Sequence, residues 1–81
     1  MINDLPWELE TLNSGSVTAV SNALRRCLPQ GQGRVIVDGR KVGLTYETVV
    51  GAMAERQRFG TLAGAVDIRI LLGDGREYRW P

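Results

Sequence analysis

Hydrophobic positions recur at helical spacing in two stretches of the chain. From Ser16 onward, Val17, Val20, Ala23, Leu24, Cys27 and Leu28 form one apolar stripe, while Ser21, Asn22, Arg25 and Arg26 fall mainly on other faces. Pro29 is predicted to stop this helix. A second helix is predicted from Thr45, a suitable N-cap. Glu47 lies in its first turn, Tyr46, Val49, Val50 and Met53 make its buried stripe, and Gly60 is its stop. Arg56 and Arg58 fall in its last turn, where positive charge complements the helix dipole. Gly51 costs the interior of that helix about 1 kcal/mol against alanine, which points to close packing against another backbone.

Strand-like segments occupy the remainder. After the connector Gln30-Gly31-Gln32-Gly33, residues 34–37 and 40–44 flank Asp38-Gly39, a strong two-residue hairpin signal. That turn would pair Val37 with Arg40, Ile36 with Lys41 and Val35 with Val42, grouping Val35, Val37, Val42 and Leu44 on the core side. A second hairpin is predicted from residues 66–72 and 76–80 around Gly73-Asp74-Gly75. A two-residue turn there would bury Glu77 and Arg79 beside Ile68, Ile70 and Leu72. A three-residue loop with a left-handed Gly75 instead pairs Ile70 with Tyr78 and Ile68 with Trp80, and is preferred. The N-terminal segment reads two ways before the break at Asn13-Ser14-Gly15. Asp4 can cap a short helix with Pro6 in its first turn and Leu5, Leu9 and Leu12 at helical spacing, yet Leu5, Trp7 and Leu9 also alternate as in a strand.

These elements predict one α+β domain over residues 1–81: two antiparallel β-hairpins forming one sheet packed by two main helices, plus a short N-terminal helix or strand. In this register Ile36 and Leu71 point away from the helices, so the second sheet face is partly apolar and is expected to be closed by the N-terminal segment or by another chain.

Composition narrows the chemistry. Eighty-one residues and 8.9 kDa allow one small core, with 43% hydrophobic and 23% charged residues in the ordinary globular range. A net charge of +1 is too small to draw in a polyanion from a distance. With no histidine, the commonest general base and metal ligand is missing; the single cysteine, Cys27, cannot form an internal disulfide and suits a reducing compartment. The opening residues have no basic leader, and no apolar run reaches a bilayer's span, so a cytoplasmic location is expected. Nine of the ten basic residues are arginine, beside ten glycines, a bias that GC-rich codons alone produce.

Each candidate for chemistry has a plain alternative. Cys27 sits on an apolar stripe and reads as a small hydrophobe. Gly31, Gly33 and Arg34 lack the lysine and following helix of a phosphate-cradling loop and read as a linker. Glu8 with Glu10, or Asp67 with Asp74 and Glu77, could pair as catalytic carboxylates but fall in no motif. No cofactor, metal or small-molecule substrate is predicted, and the protein reads as a non-enzyme.

Two binding functions remain. The first is a small regulator, adaptor or inhibitor, of bacterial or phage type, that occupies the surface of another protein or of a second copy of itself. Trp7, Tyr78, Arg79 and Trp80 are its interface anchors, being residue types enriched at protein contacts. The alternative is a nucleic-acid-binding protein using Arg25, Arg26, Arg40, Lys41, Arg56, Arg58 and Arg76, with Tyr78 and Trp80 stacking on bases. The helix-then-hairpin ending resembles, in topology alone, a winged-helix domain over the last forty residues, with Gly73-Asp74-Gly75 at the wing tip.

Overall fold

The computed structural model describes residues 6–81 as a two-layer α+β domain. Its elements run β1 (Glu8–Thr11), α1 (Val17–Gln30), β2 (Arg34–Asp38), α2 (Tyr46–Arg58), a 3-10 helix (Thr61–Gly64), β3 (Asp67–Leu71) and β4 (Glu77–Trp80). The four strands form one sheet in the order β1-β2-β3-β4; β1, β2 and β3 are mutually parallel and β4 returns antiparallel to β3. Parallel neighbours need long crossovers, and α1 and α2 supply them. Right-handed crossovers that advance in one direction put both helices on the same face. Val35, Val37, Ile68 and Ile70, all on that face, are fully buried with Val20, Leu24 and Val49 of the helices.

Capping at both helix starts follows local chemistry. The Ser16 hydroxyl accepts from the Ala19 N–H at 3.1 Å and the Thr45 hydroxyl from the Thr48 N–H at 3.2 Å. Pro29 does not stop α1 as expected. It lies in the last turn, and the end is closed by Gly31, whose N–H donates to the Cys27 carbonyl. On α2, Val49 and Met53 are buried, but Tyr46 and Val50, predicted for the same stripe, are exposed. Gly60 adopts the left-handed conformation just beyond the helix, as its predicted role as a stop requires.

The C-terminal hairpin has the predicted register. Ile70 pairs with Tyr78, Ile68 with Trp80, and Gly75 is left-handed at φ 91°. The first hairpin does not form. Asp38-Gly39 ends a central strand whose two edges are already taken by β1 and β3, so residues 40–44 have no edge of β2 to pair with. The Asp38 carboxylate instead accepts from the Arg40 N–H at 3.1 Å and binds the Arg40 guanidinium at 2.8 Å, closing a local turn. Gly39 N–H donates to the Leu71 carbonyl and Gly73 N–H to the Leu44 carbonyl, both at 2.9 Å, which stitches this loop to the end of β3. A Cβ at Gly73 would lie 2.5 Å from the Gly43 Cα, so the two loops meet backbone to backbone. Val35, Val37 and Leu44 still reach the core, and Val42 packs against it, by a different path.

The sheet is thus mixed, not a pair of antiparallel hairpins. Of the two N-terminal readings, Glu8–Thr11 is a strand; the proposed Asp4 cap and Leu5 lie outside the described residues. The winged-helix likeness fails too. Only the 3-10 helix Thr61–Gly64 separates α2 from β3, too short for a recognition helix, and the hairpin belongs to the sheet.

Gly51 is not held in place by a close backbone, contrary to the sequence expectation. A Cβ there would meet only the Val17 Cγ2, at an ordinary 3.5 Å. Gly51→Ala is therefore expected to stabilise the domain by about 0.5–1 kcal/mol through lower chain entropy in the unfolded state. Urea unfolding monitored by circular dichroism would show a raised midpoint at unchanged slope; a lowered midpoint would mean α1 and α2 pack more tightly than that distance implies.

Candidate functional site

The face of the sheet turned away from the helices is built in rows. Cross-strand partners share a face. Leu9, Ile36, Arg69 and Arg79 therefore make one row, Thr11, Asp38, Leu71 and Glu77 the next, and Arg34 with Asp67 a third. Trp7, just before β1, joins this face by lying under the Arg69 guanidinium, 5.4 Å from ring centroid to carbon. Leu9 is 66% exposed at the edge, and Ile36 and Leu71 are partly exposed between charged neighbours. Arg69 meets the Asp67 carboxylate at 3.3 Å and Glu77 at 4.0 Å, while Arg79 meets Glu77 at 3.8 Å and Asp67 at 4.0 Å. Such exposed pairs add little stability singly, but together they hold two guanidiniums over the sheet.

The four predicted interface residues do not come together. Trp7 and Arg79 lie on this open face. Tyr78 and Trp80 point to the helix side, where both pack against the core. The Tyr78 ring sits 5.9 Å from that of Tyr46, and burial, with Tyr46 beside it, pushes its hydroxyl pKa upward. Ile36 and Leu71 lie on the open face as the sequence predicts, whereas Leu9 and Arg69, which share it, were missed. Alternation within Glu8–Thr11 and Asp67–Leu71 could have found them had those segments been read as strands parallel to Arg34–Asp38.

The predicted basic residues are dispersed as well. Arg26 pairs with Glu10 at 2.8 Å, Arg40 with Asp38 at 2.8 Å and Arg76 with Asp74 at 2.7 Å, while Lys41 donates to Asn13 Oδ1 at 3.1 Å. The hydrogen bonds from Arg40, side chain first and then backbone, bring the Asp38 carboxyl down to about 2. Backbone and side-chain bonds from Arg76 lower Asp74 in the same way. Arg25, Arg56 and Arg58 have no carboxylate within 4.0 Å among the described residues, and they lie in the second half of α1 and the last turn of α2.

Four of the five candidate catalytic carboxylates are paired with arginine: Glu10 with Arg26, Asp67 and Glu77 with Arg69 and Arg79, and Asp74 with Arg76. Glu8 and Glu10 share the helix-covered side of the edge strand. Among the described residues no three His, Cys, Asp or Glu side chains gather where they could hold a metal, and no helix is long and apolar enough to cross a membrane. No protein-family model, curated protein or solved structure matches this chain.

Cys27 is buried beside acid, with its thiol 3.7 Å from Glu10 Oε1. Desolvation, then the charges of Glu10 and Glu8, push its pKa from an ordinary 9.0 up to about 11. At pH 8 this cuts the thiolate fraction about 100-fold. Native protein is therefore expected to react with iodoacetamide at least ~100-fold more slowly than a cysteine peptide, with the peptide rate restored in urea. Mass spectrometry of timed aliquots reads this; equal rates would show an open, ionised thiol.

Proposed function

We propose that the protein is a non-enzymatic binding module that occupies another protein through the open face of its sheet. The observation that carries this is the mixture on that face: Trp7, Leu9, Ile36 and Leu71 interleaved with Arg34, Arg69 and Arg79 and with Asp38, Asp67 and Glu77. With Arg40 bound to Asp38, four cations stand against three carboxylates, a net charge of about one, so a nucleic-acid backbone gains little there. A protein surface with its own apolar centre and charged rim gains from both components. Trp7 and Arg69 form the natural anchor, since an aromatic ring capped by a guanidinium offers a large, already ordered contact. Of the seven basic residues of the nucleic-acid alternative, Arg26, Arg40 and Arg76 have their charge taken up by neighbouring acids, which leaves Arg25, Lys41, Arg56 and Arg58 to carry it.

Leu9 is exposed enough that Leu9→Arg should change stability by no more than about 0.5 kcal/mol. Wild-type and Leu9→Arg proteins, matched by thermal melting, would be immobilised and exposed to nuclease-treated host lysate. A discrete protein retained by the wild type and reduced about tenfold by the variant is expected, a loss of roughly 1.4 kcal/mol in binding. An identical set of proteins on both, or binding only by nucleic acid when nuclease is omitted, would overturn the reading.

A further inference from the structure

We propose that the groove where the two long helices end is a binding site for a small oxyanion, carboxylate or phosphate, carried on an apolar group. The groove encloses about 460 Å³, within the range of small-molecule sites. Leu28, Pro29 and Gly64 give it an apolar lining, and Arg25, Gln32 and Thr61 bring polar groups to the same space. Gly33, at its edge, must be glycine: φ is +90° and a Cβ would come within 2.5 Å of the Gly64 carbonyl oxygen.

Arg56 supplies the second, independent observation. Arg56 does not line the groove itself but hydrogen-bonds to Thr61, which does, and it is only 8% exposed. Nη1 donates to Thr61 Oγ1 at 3.3 Å, while Nε is buried with no partner. Burying a guanidinium with neither a carboxylate nor a full set of acceptors is costly, and the one acceptor it has, Thr61, lines the groove. Thr61 links Arg56 to the groove by hydrogen bonding. Its oxygen accepts from Arg56, which leaves its own proton to donate to a ligand atom in the groove.

Helix-end electrostatics alone do not account for the cations. Each helix C-terminus presents about half a negative charge, roughly one in total for α1 and α2, and Glu55 adds one more. Arg25, Arg56 and Arg58 exceed that sum. Phe59, 63% exposed, holds the guanidiniums of Arg56 and Arg58 at 5.4 and 5.2 Å from its ring, which keeps both at this end of the molecule. Everywhere else the arginines that pair do so with carboxylates: Arg26, Arg40, Arg69, Arg76 and Arg79 each have one within 4.0 Å.

The test is an amide and arginine side-chain NMR titration of the full chain with benzoate and with phenyl phosphate, using benzyl alcohol as the uncharged control. Saturable shifts at Gly33, Thr61, Gly64 and the Arg25 Nε–H are expected, with dissociation constants of about millimolar or below for at least one anion. Benzyl alcohol should bind about tenfold more weakly or not at all, and Arg25→Gln and Thr61→Val should each weaken the anion about tenfold, as loss of a charge-assisted or hydroxyl hydrogen bond does. Which anion binds tighter identifies the ligand head group. Arg25 is exposed, so Arg25→Gln keeps the test decisive should Thr61→Val disturb folding. Absence of saturation with both anions, equal binding of benzyl alcohol, or an Arg25→Gln protein that binds as the wild type would each overturn the proposal.

Discussion

Val35, Val37, Ile68 and Ile70 are removed from solvent on two neighbouring parallel strands, and a strand in that position must find hydrogen-bond partners along both edges. β1 and β4 meet that need and become the sheet edges. Joining parallel neighbours in the order β1-β2-β3 then requires two crossovers, whose helices fall on one side. The open face is therefore not a gap left by a missing element. It follows from the same topology that closes the core, and the apolar residues on it are the ones that the pleat turns outward from buried strands.

Where local and global preferences agreed, the sequence was readable. Ser16 and Thr45 cap helices through their own hydroxyls, and the C-terminal register followed from refusing to bury Glu77 and Arg79 beside Ile70. Asp38-Gly39 is the instructive failure. A short-range turn signal competed with the need of an apolar strand for partners on both sides, and the second prevailed because β1 and β3 bring more buried surface than a hairpin ending in Arg40-Lys41 could. The open face itself was legible in Ile36 and Leu71, but that one pairing error hid its composition, since Leu9, Ile36 and Arg69 become a row only when β1, β2 and β3 lie side by side.

The arginines show a second kind of legibility. Asp38 and Arg40, Asp67 and Arg69, Asp74 and Arg76, and Glu77 and Arg79 each stand two residues apart, and each pair meets in the structure. Two residues along a strand return to the same face, and two residues around a turn allow the acid to accept from backbone and side chain together. An acid two positions before an arginine thus marks a cation that is neutralised locally. Arg25, Arg34, Arg56 and Arg58 lack that acid, since Ala23, Gln32, Ala54 and Arg56 stand in its place, and among the described residues these are the arginines left without a carboxylate within 4.0 Å. Counting basic residues without their neighbours overstates the surface available to a polyanion.

Parallel strands are ordinarily covered on both faces and read as continuous apolar runs, because the crossovers that join them pack on the sheet. Here three parallel strands are covered on one face only, and their outward positions alternate between apolar and charged. Ile36 and Leu71 stand at the centre of this face with Trp7 and Leu9 beside them, the apolar component that the proposed protein-binding role draws on. A face meant for permanent burial in a core would not carry three arginines and three acids. The combination matches surfaces that are dry when occupied and wet when free, with the charges setting register and partner choice and the apolar side chains contributing affinity.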